Sequence, residues 1–279
     1  AVESSHWPPH LELFNACCVV SQNSFFRSLP SSLTVLILPD LTPTSIAKSL
    51  ERGNVVTEVE RRAQEAAKAF LPSHLAQDDN LDLCASWIAL FMYLSAANLH
   101  HLVRMHITQP HHAPVSFPWD EESMKLPSGL KKLRLDFPLI LTPSFWACLP
   151  RSLVKIRSNV EGQIFVPDRR TFEPTASPYL EGLDLAPKSL VSLRMDQLSF
   201  SIRPETMELL PRSLTRIELA GKDQSLTVQQ INGLPPGLRT FLIKGASLAT
   251  LAAVAALPKT LEKFAILQLD PRHYHALPP

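Results

Sequence analysis

A short motif built on Leu-Pro recurs along the chain, and it constrains the fold more than any other feature of the sequence. The motif has the form Leu-Pro-x-Ser-Leu-x-x-Leu-x-Leu, with exchanges at several positions. Its copies begin at Leu29, Leu126, Leu149, Ala186, Leu210, Leu234 and Leu257. From Pro127 onward the motif prolines are 23, 37, 24, 24 and 23 residues apart. A self-similar period of this length is typical of repeat architectures, in which each unit contacts only its neighbours.

Each copy has two halves with different preferences. The Leu-x-x-Leu-x-Leu half suits a short strand, because alternate residues of a strand share one face. The second half is often opened by proline, as at Pro143 and Pro204. Proline favours the first position of a helix, where its missing N–H needs no partner. One strand and one helix cannot bury an apolar face alone, so stacked units are expected to form a parallel sheet backed by helices.

These motifs resemble the leucine-rich-repeat superfamily. The LPxSLxxLxL form is similar to the repeats of FNIP-like proteins and of effector-type variants. The resemblance implies a single α/β solenoid over 1–279, with a curved parallel sheet on the concave side and short helices on the convex side. The asparagine that usually follows the strand in this family is mostly absent. Its place is taken by Leu41, Pro138, Leu198, Lys222, Ala246 and Leu269.

The spacing is irregular in two places. The first two copies are 97 residues apart, close to four repeats of about 24, and 44–117 is interpreted as diverged repeats with a helical insertion. Within this stretch, 55–70 has the apolar spacing of an amphipathic helix, and 81–97 also favours a helix. Lateral packing on the solenoid is the simpler role for the first helix, and docking of a partner is the alternative. The 37-residue gap predicts an inserted loop at 160–178.

Composition excludes some function classes. The net charge of this 279-residue chain is +1, so the bulk charge indicates neither nucleic acid nor a membrane surface as a partner. Eight glycines and the absence of a GxGxxG pattern argue against a phosphate-binding loop. No apolar run is long enough to span a bilayer. An intracellular location (cytoplasmic, nuclear or organellar) is expected.

The resemblance places the residues between the strand leucines on the concave face, away from the core. The seven aligned strands have 21 such positions, of which nine are basic and two are acidic. Arg134, Arg157 and Arg194 occupy the same position in consecutive aligned strands. Since neighbouring strands lie roughly 4.8 Å apart, we expect a spine of like charges that repel one another. An acidic partner would relieve this repulsion.

These observations predict a binding site for a protein partner with an acidic surface. The predicted site consists of Lys132, Arg134, Lys155, Arg157, Arg194 and Arg216. The leading hypothesis is a non-catalytic protein-interaction scaffold. A plainer explanation is that these are solvated surface residues, copied by duplication of repeats. Two other functions stay open: a structural subunit of a large complex that could contain RNA, and the recognition domain of a ubiquitin-ligase adaptor, effector or receptor.

No catalytic group, cofactor motif or metal site is predicted. Five histidines lie within 13 residues: His100, His101, His106, His111 and His112. Zinc needs about four converging nitrogen or sulfur ligands, and no cysteine lies nearby. A polar loop is therefore favoured over a metal site. The sequence predicts that the protein is not an enzyme and that it uses no cofactor.

Overall fold

In the computed structural model, the described residues are 8, 10–15, 29–38, 57–70, 78–96, 99–108, 125–136, 143–159, 182–198, 204–248 and 250–268. They contain nine strands in one parallel sheet, ordered as in the sequence. The strands are β1 (Leu13–Asn15), β2 (Val35–Leu38), β3 (Arg104–Thr108), β4 (Lys132–Asp136), β5 (Lys155–Asn159), β6 (Ser192–Leu198), β7 (Arg216–Leu226), β8 (Thr240–Leu248) and β9 (Lys263–Gln268). The predicted α/β solenoid, with one parallel sheet and helices between strands, is confirmed by this order.

Short helices connect several of the strands. The described helices are α1 (Glu58–Phe70), α2 (Asp78–Ala96), α3 (Pro143–Cys148), α4 (Pro204–Glu208), α5 (Val228–Asn232) and α6 (Leu251–Ala255), with a 3₁₀ helix at Leu183–Leu185. The first residues of α3 and α4 are prolines, as predicted. Thr227 caps the N-terminus of α5 with a capping box. Its N–H donates to Gln230 Oε1 at 2.7 Å, and its hydroxyl accepts from the Gln230 N–H. Such caps satisfy backbone donors that the first turn leaves without partners.

A tight turn precedes every strand of the described sheet, and in most repeats the Leu-Pro motif forms it. The N–H of the second motif leucine donates to the proline carbonyl three residues earlier, as from Leu153 to Pro150 at 2.9 Å. Leu102 donates to the carbonyl of Leu99 in the same way at 2.9 Å, although that segment has no Leu-Pro pair. The turn geometry is therefore retained where the sequence motif is lost.

A hydroxyl at the motif serine position joins five of the described turns to the turn before it. Ser152 Oγ donates to the carbonyl oxygens of Leu130 at 2.8 Å and of Ser128 at 2.6 Å. Equivalent bonds to the preceding repeat are made by Ser32, Ser189, Ser213 and Thr260. In these repeats a side-chain hydroxyl thus links the turn to the preceding repeat.

Gly129 occupies the serine position in one repeat for a steric reason. A Cβ atom at Gly129 would overlap the carbonyl oxygen of His100 in the preceding turn. The close approach of the two backbones therefore excludes every other residue at this position unless the turn moves.

The register of the sheet places one set of strand residues in the core. Two rows of Cα partners run inward across β2 to β9. The first inward row is Leu36, Met105, Leu133, Ile156, Leu193, Ile217, Phe241 and Phe264, and the second is Leu38, Ile107, Leu135, Ser158, Met195, Leu219, Ile243 and Ile266. Almost all of these residues are buried together with apolar helix residues such as Phe145 and Val254. The helices therefore cover one face of the sheet, and the alternate strand residues lie on the opposite, open face.

Ser158 is the one polar member of the inward rows. Its side chain is 1% exposed, and Oγ has no hydrogen-bond partner among the described residues. Burial of a hydroxyl without a partner is unfavourable. We find no structural reason for this serine.

The stretch between β2 and β4 differs from the estimate of about four repeats. β3 pairs directly with both β2 and β4, so a single described strand lies there and the estimate is wrong. Helices α1 and α2 lie in this stretch, close to where the sequence predicts helices. The exact limits 44–117 stay a prediction, and the loop predicted at 160–178 lies outside the described residues.

The two helices pack on each other and join the core. All residues from Cys84 to Leu94 of α2 are buried, as in a helix covered on every side. Ala63 and Ala67 of α1 are also fully buried, and the Thr57 hydroxyl lies 2.6 Å from the Tyr93 hydroxyl. These contacts support lateral packing as the role of α1. Within the described part of the chain, no helix combines the length and apolar character that crossing a bilayer requires.

We predict opposite effects for the same substitution at two serines of one repeat. Ser152→Ala removes the bonds to the preceding turn and should lower the free energy of unfolding by about 1 kcal/mol. Ser158→Ala removes a buried hydroxyl that has no partner and should leave that free energy unchanged or raise it by about 1 kcal/mol. Urea unfolding measures both, with the exposed Ser128→Ala as control. A loss of stability in Ser158→Ala equal to that in Ser152→Ala would contradict this account.

Candidate functional site: a basic groove on the open face

The open face of the sheet forms a groove of about 470 Å³ across β2 to β7. All six residues of the predicted binding site line it: Lys132, Arg134, Lys155, Arg157, Arg194 and Arg216. The structure therefore brings these residues together on one surface. Their role in binding a partner stays a prediction.

Two rows of side chains cross the groove, each formed by successive Cα partners. The first row is Val35, Arg104, Lys132, Lys155, Ser192 and Arg216. The second row is Ile37, His106, Arg134, Arg157, Arg194 and Glu218. The two rows differ in how their charges are neutralised.

Asp196 and Glu218 pair with the arginines at one end of the second row. Asp196 Oδ2 accepts hydrogen bonds from Arg194 Nε at 2.8 Å and from Arg157 Nη2 at 3.4 Å. Arg194 Nη1 lies 3.0 Å from Glu218 Oε2, and Glu218 Oε1 also accepts from Arg216 Nε at 2.5 Å. The hydrogen bond to Asp196 raises the pKa of Arg194 despite partial burial. These three cations and two carboxylates form a connected network.

Asp136 neutralises the other end of the second row. Its side chain is only 9% exposed, and Oδ2 lies 2.5 Å from Arg134 Nε and 2.8 Å from His106 Nε2. Burial raises the pKa of Asp136, but the hydrogen bond with His106 and the charges of Arg134 and Arg157 together bring the pKa below its ordinary value. The carboxylate is therefore held ionised by its neighbours.

The expected spine of unrelieved like charge is thus wrong for the second row. Arg134, Arg157 and Arg194 are each paired with a carboxylate of the same sheet. Asp136 and Asp196 lie two residues after Arg134 and Arg194, just beyond the strand positions included in the sequence comparison. Continuing the strand alternation by one more outward residue would have included both carboxylates.

The first row contains three cations that no described carboxylate neutralises. Arg104, Lys132 and Lys155 are consecutive Cα partners on β3, β4 and β5, and all three are exposed. Among the described residues none of the three forms an ion pair. Since neighbouring strands lie roughly 4.8 Å apart, these three positive charges repel one another in the free protein. We call them the cation run.

Arg104 was missed in the sequence because β3 follows no Leu-Pro pair. The segment Leu102-Val103-Arg104-Met105-His106-Ile107 nevertheless keeps the Leu-x-x-Leu-x-Leu pattern, with Met and Ile at two of its apolar positions. Accepting any large apolar residue in the pattern would have aligned Arg104 with Lys132.

The histidine and cysteine side chains give no second site in the described part of the chain. His106 is bound to Asp136, and no three potential metal ligands cluster among the residues that the structure describes. His111 and His112 lie outside those residues. Burial raises the pKa of the Cys84 thiol to about 12, so this thiol is protonated at neutral pH.

Comparisons with known proteins add one observation about the fold. No family model matches the sequence, and no curated protein matches it. Among solved structures, the chain is similar to CroV588, which is described as a novel circular LRR protein. The TM-score is 0.35 and the identity 15%, over 84% of this chain and 30% of that chain. The present chain therefore spans less than a third of the length of that protein.

We predict that Asp136→Asn destabilises the protein in a pH-dependent way. The lowered pKa of Asp136 means that ionisation contributes stability above the ordinary carboxyl range, and that this contribution is lost as the pH falls through the folded-state pKa. The variant should be less stable by about 1–3 kcal/mol at pH 7. The difference from wild type should shrink progressively below about pH 4.

Thermal or urea unfolding between neutral and acidic pH measures this difference. Asp184→Asn serves as the control, because Asp184 is exposed on the 3₁₀ helix. A pH-independent difference between wild type and Asp136→Asn would show that the carboxylate charge is not responsible.

Proposed function

We propose that this protein is a non-catalytic interaction scaffold that binds an acidic protein surface in the groove on its open face. The observation that carries the proposal is the cation run. Arg104, Lys132 and Lys155 are exposed on adjacent strands with no ion-pair partner among the described residues. A surface carrying carboxylates would supply the missing opposite charge.

The net charge of the groove supports an anionic ligand. Seven lysine and arginine side chains line it, and the three carboxylates that pair with them leave a net charge of four positive units, with His106 taken as neutral. The whole chain has a net charge of only +1. Positive potential is therefore concentrated at the groove, which favours and accelerates encounter with an acidic partner.

The paired second row has a supporting role in this proposal. Its guanidinium groups are held by Asp136, Asp196 and Glu218, so their positions are fixed before a ligand arrives. In the sheet beneath them, each strand is hydrogen-bonded to its neighbours. A pre-organised surface loses less conformational entropy on binding than a mobile one.

The other hypotheses receive no support from a particular contact. A role as a subunit of a large complex, with or without RNA, stays a prediction, as do an adaptor, effector or receptor role and an intracellular location. The similarity of the LPxSL repeats to FNIP-like and effector-type variants also stays a prediction. The proposal of acidic-protein binding is preferred because it uses the cation run directly.

We predict that reversing two charges of the cation run abolishes capture of acidic partners. The change is Lys132→Glu with Lys155→Glu, because these side chains are exposed and their loss breaks no ion pair with any described residue. The matched control is Lys259→Glu with Lys263→Glu, which makes the same change of net charge. Lys259 and Lys263 are also exposed, and they lie outside the groove.

Affinity capture from cell extract, quantified at low and at physiological salt, compares the two variants with wild type. For proteins that wild type and the control capture, the amount captured by the groove variant should be at least about tenfold lower. Salt should weaken the capture of these proteins. Equal capture by all three chains would contradict the proposal. Capture that disappears after nuclease treatment would also contradict it, since the ligand would then be a nucleic acid.

A further inference from the structure

The groove has an apolar wall at its N-terminal side. Val35 and Ile37 of β2 line the groove and are half-buried. Leu13 on β1 is the Cα partner of Val35, and its side chain is 54% exposed. We call these three residues the apolar wall. They lie on the open face, so they add nothing to the core that the inward rows form.

The apolar wall and the cation run are directly adjacent. Val35 is the Cα partner of Arg104, and Ile37 is the Cα partner of His106. The first row therefore changes from apolar to basic between β2 and β3, over a single strand spacing of roughly 4.8 Å. A ligand confined to the basic residues would leave the wall in contact with water.

The opposite end of the groove is different. There the rows end in Arg216 and Glu218, which are paired with each other. The next open-face apolar residue, Leu242 on β8, does not line the groove. The groove is thus asymmetric, with apolar surface at one end only.

We propose that the binding element of the partner is an acidic protein segment that also carries a large apolar side chain. The apolar side chain lies against Val35 and Ile37, and the carboxylates lie over Lys132 and Lys155. This inference rests on the proposed function and adds to it the composition of the bound segment and the parts of the groove that its apolar and acidic side chains occupy. Charge complementarity with the cation run explains why the segment is acidic. Burial of the exposed apolar wall explains why the segment carries an apolar side chain.

The required segment is short. The distance from β2 to β5 is three strand spacings, or about 14 Å. About four residues of extended chain cover this distance, at roughly 3.3–3.6 Å per residue. An octapeptide with a central acidic run is therefore long enough to contact both parts of the groove.

Three fluorescent octapeptides provide the probes. The first is Leu-Gly-Glu-Glu-Glu-Glu-Gly-Leu, which offers a leucine at either end and so does not depend on the chain direction. The second replaces both leucines with serine, and the third replaces all four glutamates with glutamine. Fluorescence polarisation gives the affinity of each peptide for the folded protein.

The protein variants separate the apolar wall from the cation run. Val35→Thr with Ile37→Thr removes apolar surface from the wall while keeping β-branched side chains on the strand. Leu242→Thr is the matched control, because Leu242 lies in the same row as Ile37 but outside the groove. Lys132→Glu with Lys155→Glu tests the charges. Circular dichroism and thermal unfolding check that each variant is folded.

Wild type should bind the leucine peptide about tenfold more tightly than the serine peptide, as expected for burial of one leucine side chain. The wall variant should lose this difference and keep its affinity for the serine peptide, whereas Leu242→Thr should behave as wild type. The charge-reversal variant should bind neither acidic peptide. The glutamine peptide should bind wild type at least tenfold more weakly than the leucine peptide.

The contrary results distinguish failure of the apolar contact from failure of acidic binding. Equal affinity of wild type for the leucine and serine peptides would overturn the apolar contact and leave acidic binding in place. A leucine preference that survives in the wall variant would also overturn it. Failure of both acidic peptides to bind wild type, or equal binding to the charge-reversal variant, would overturn the proposed function and this inference together.

Discussion

The hydrogen bonds that join each turn to the preceding repeat are the interactions on which the open face depends. Before each strand from β2 to β9, two successive backbone N–H groups donate to one carbonyl oxygen of the preceding repeat, as Lys131 and Lys132 do to Val103. In several repeats a side-chain hydroxyl such as that of Ser152 adds a further bond. Together these bonds align each strand with its neighbour. A register shift of one residue would exchange the two faces of a strand, burying arginines and exposing leucines. The turns therefore fix which residues line the groove.

A fixed register has two consequences for the charged residues. Side chains at equivalent positions become neighbours across the strands, so a repeated Arg or Lys becomes a row of like charges. In the second row, Asp136, Asp196 and Glu218 pair with the arginines and offset their mutual repulsion. The cation run has no equivalent carboxylates in the described chain. Under the proposed function, fold stability and ligand binding are thus assigned to different residues of the same surface.

Much of this arrangement follows from the sequence. The period of the motif predicts the parallel sheet, and strand alternation places all six predicted site residues on one face. The carboxylate partners were missed because ion pairs depend on which strands are adjacent and on side-chain directions beyond the motif. Arg104 was missed because β3 keeps the apolar pattern but lacks Leu-Pro. The number of strands before β4 was overestimated, since length alone does not distinguish repeats from the helices α1 and α2.

The central claim is that the cation run is the part of the open face that meets an acidic ligand. Reductive ¹³C-methylation of lysines gives each lysine an NMR signal and preserves its charge. Titration with a glutamate-rich peptide should shift the signals of Lys132 and Lys155 in a saturable way and leave those of Lys259 and Lys263 unchanged. Small, equal shifts of all lysine signals would mean that the peptide senses only general charge, and the claim would be contradicted.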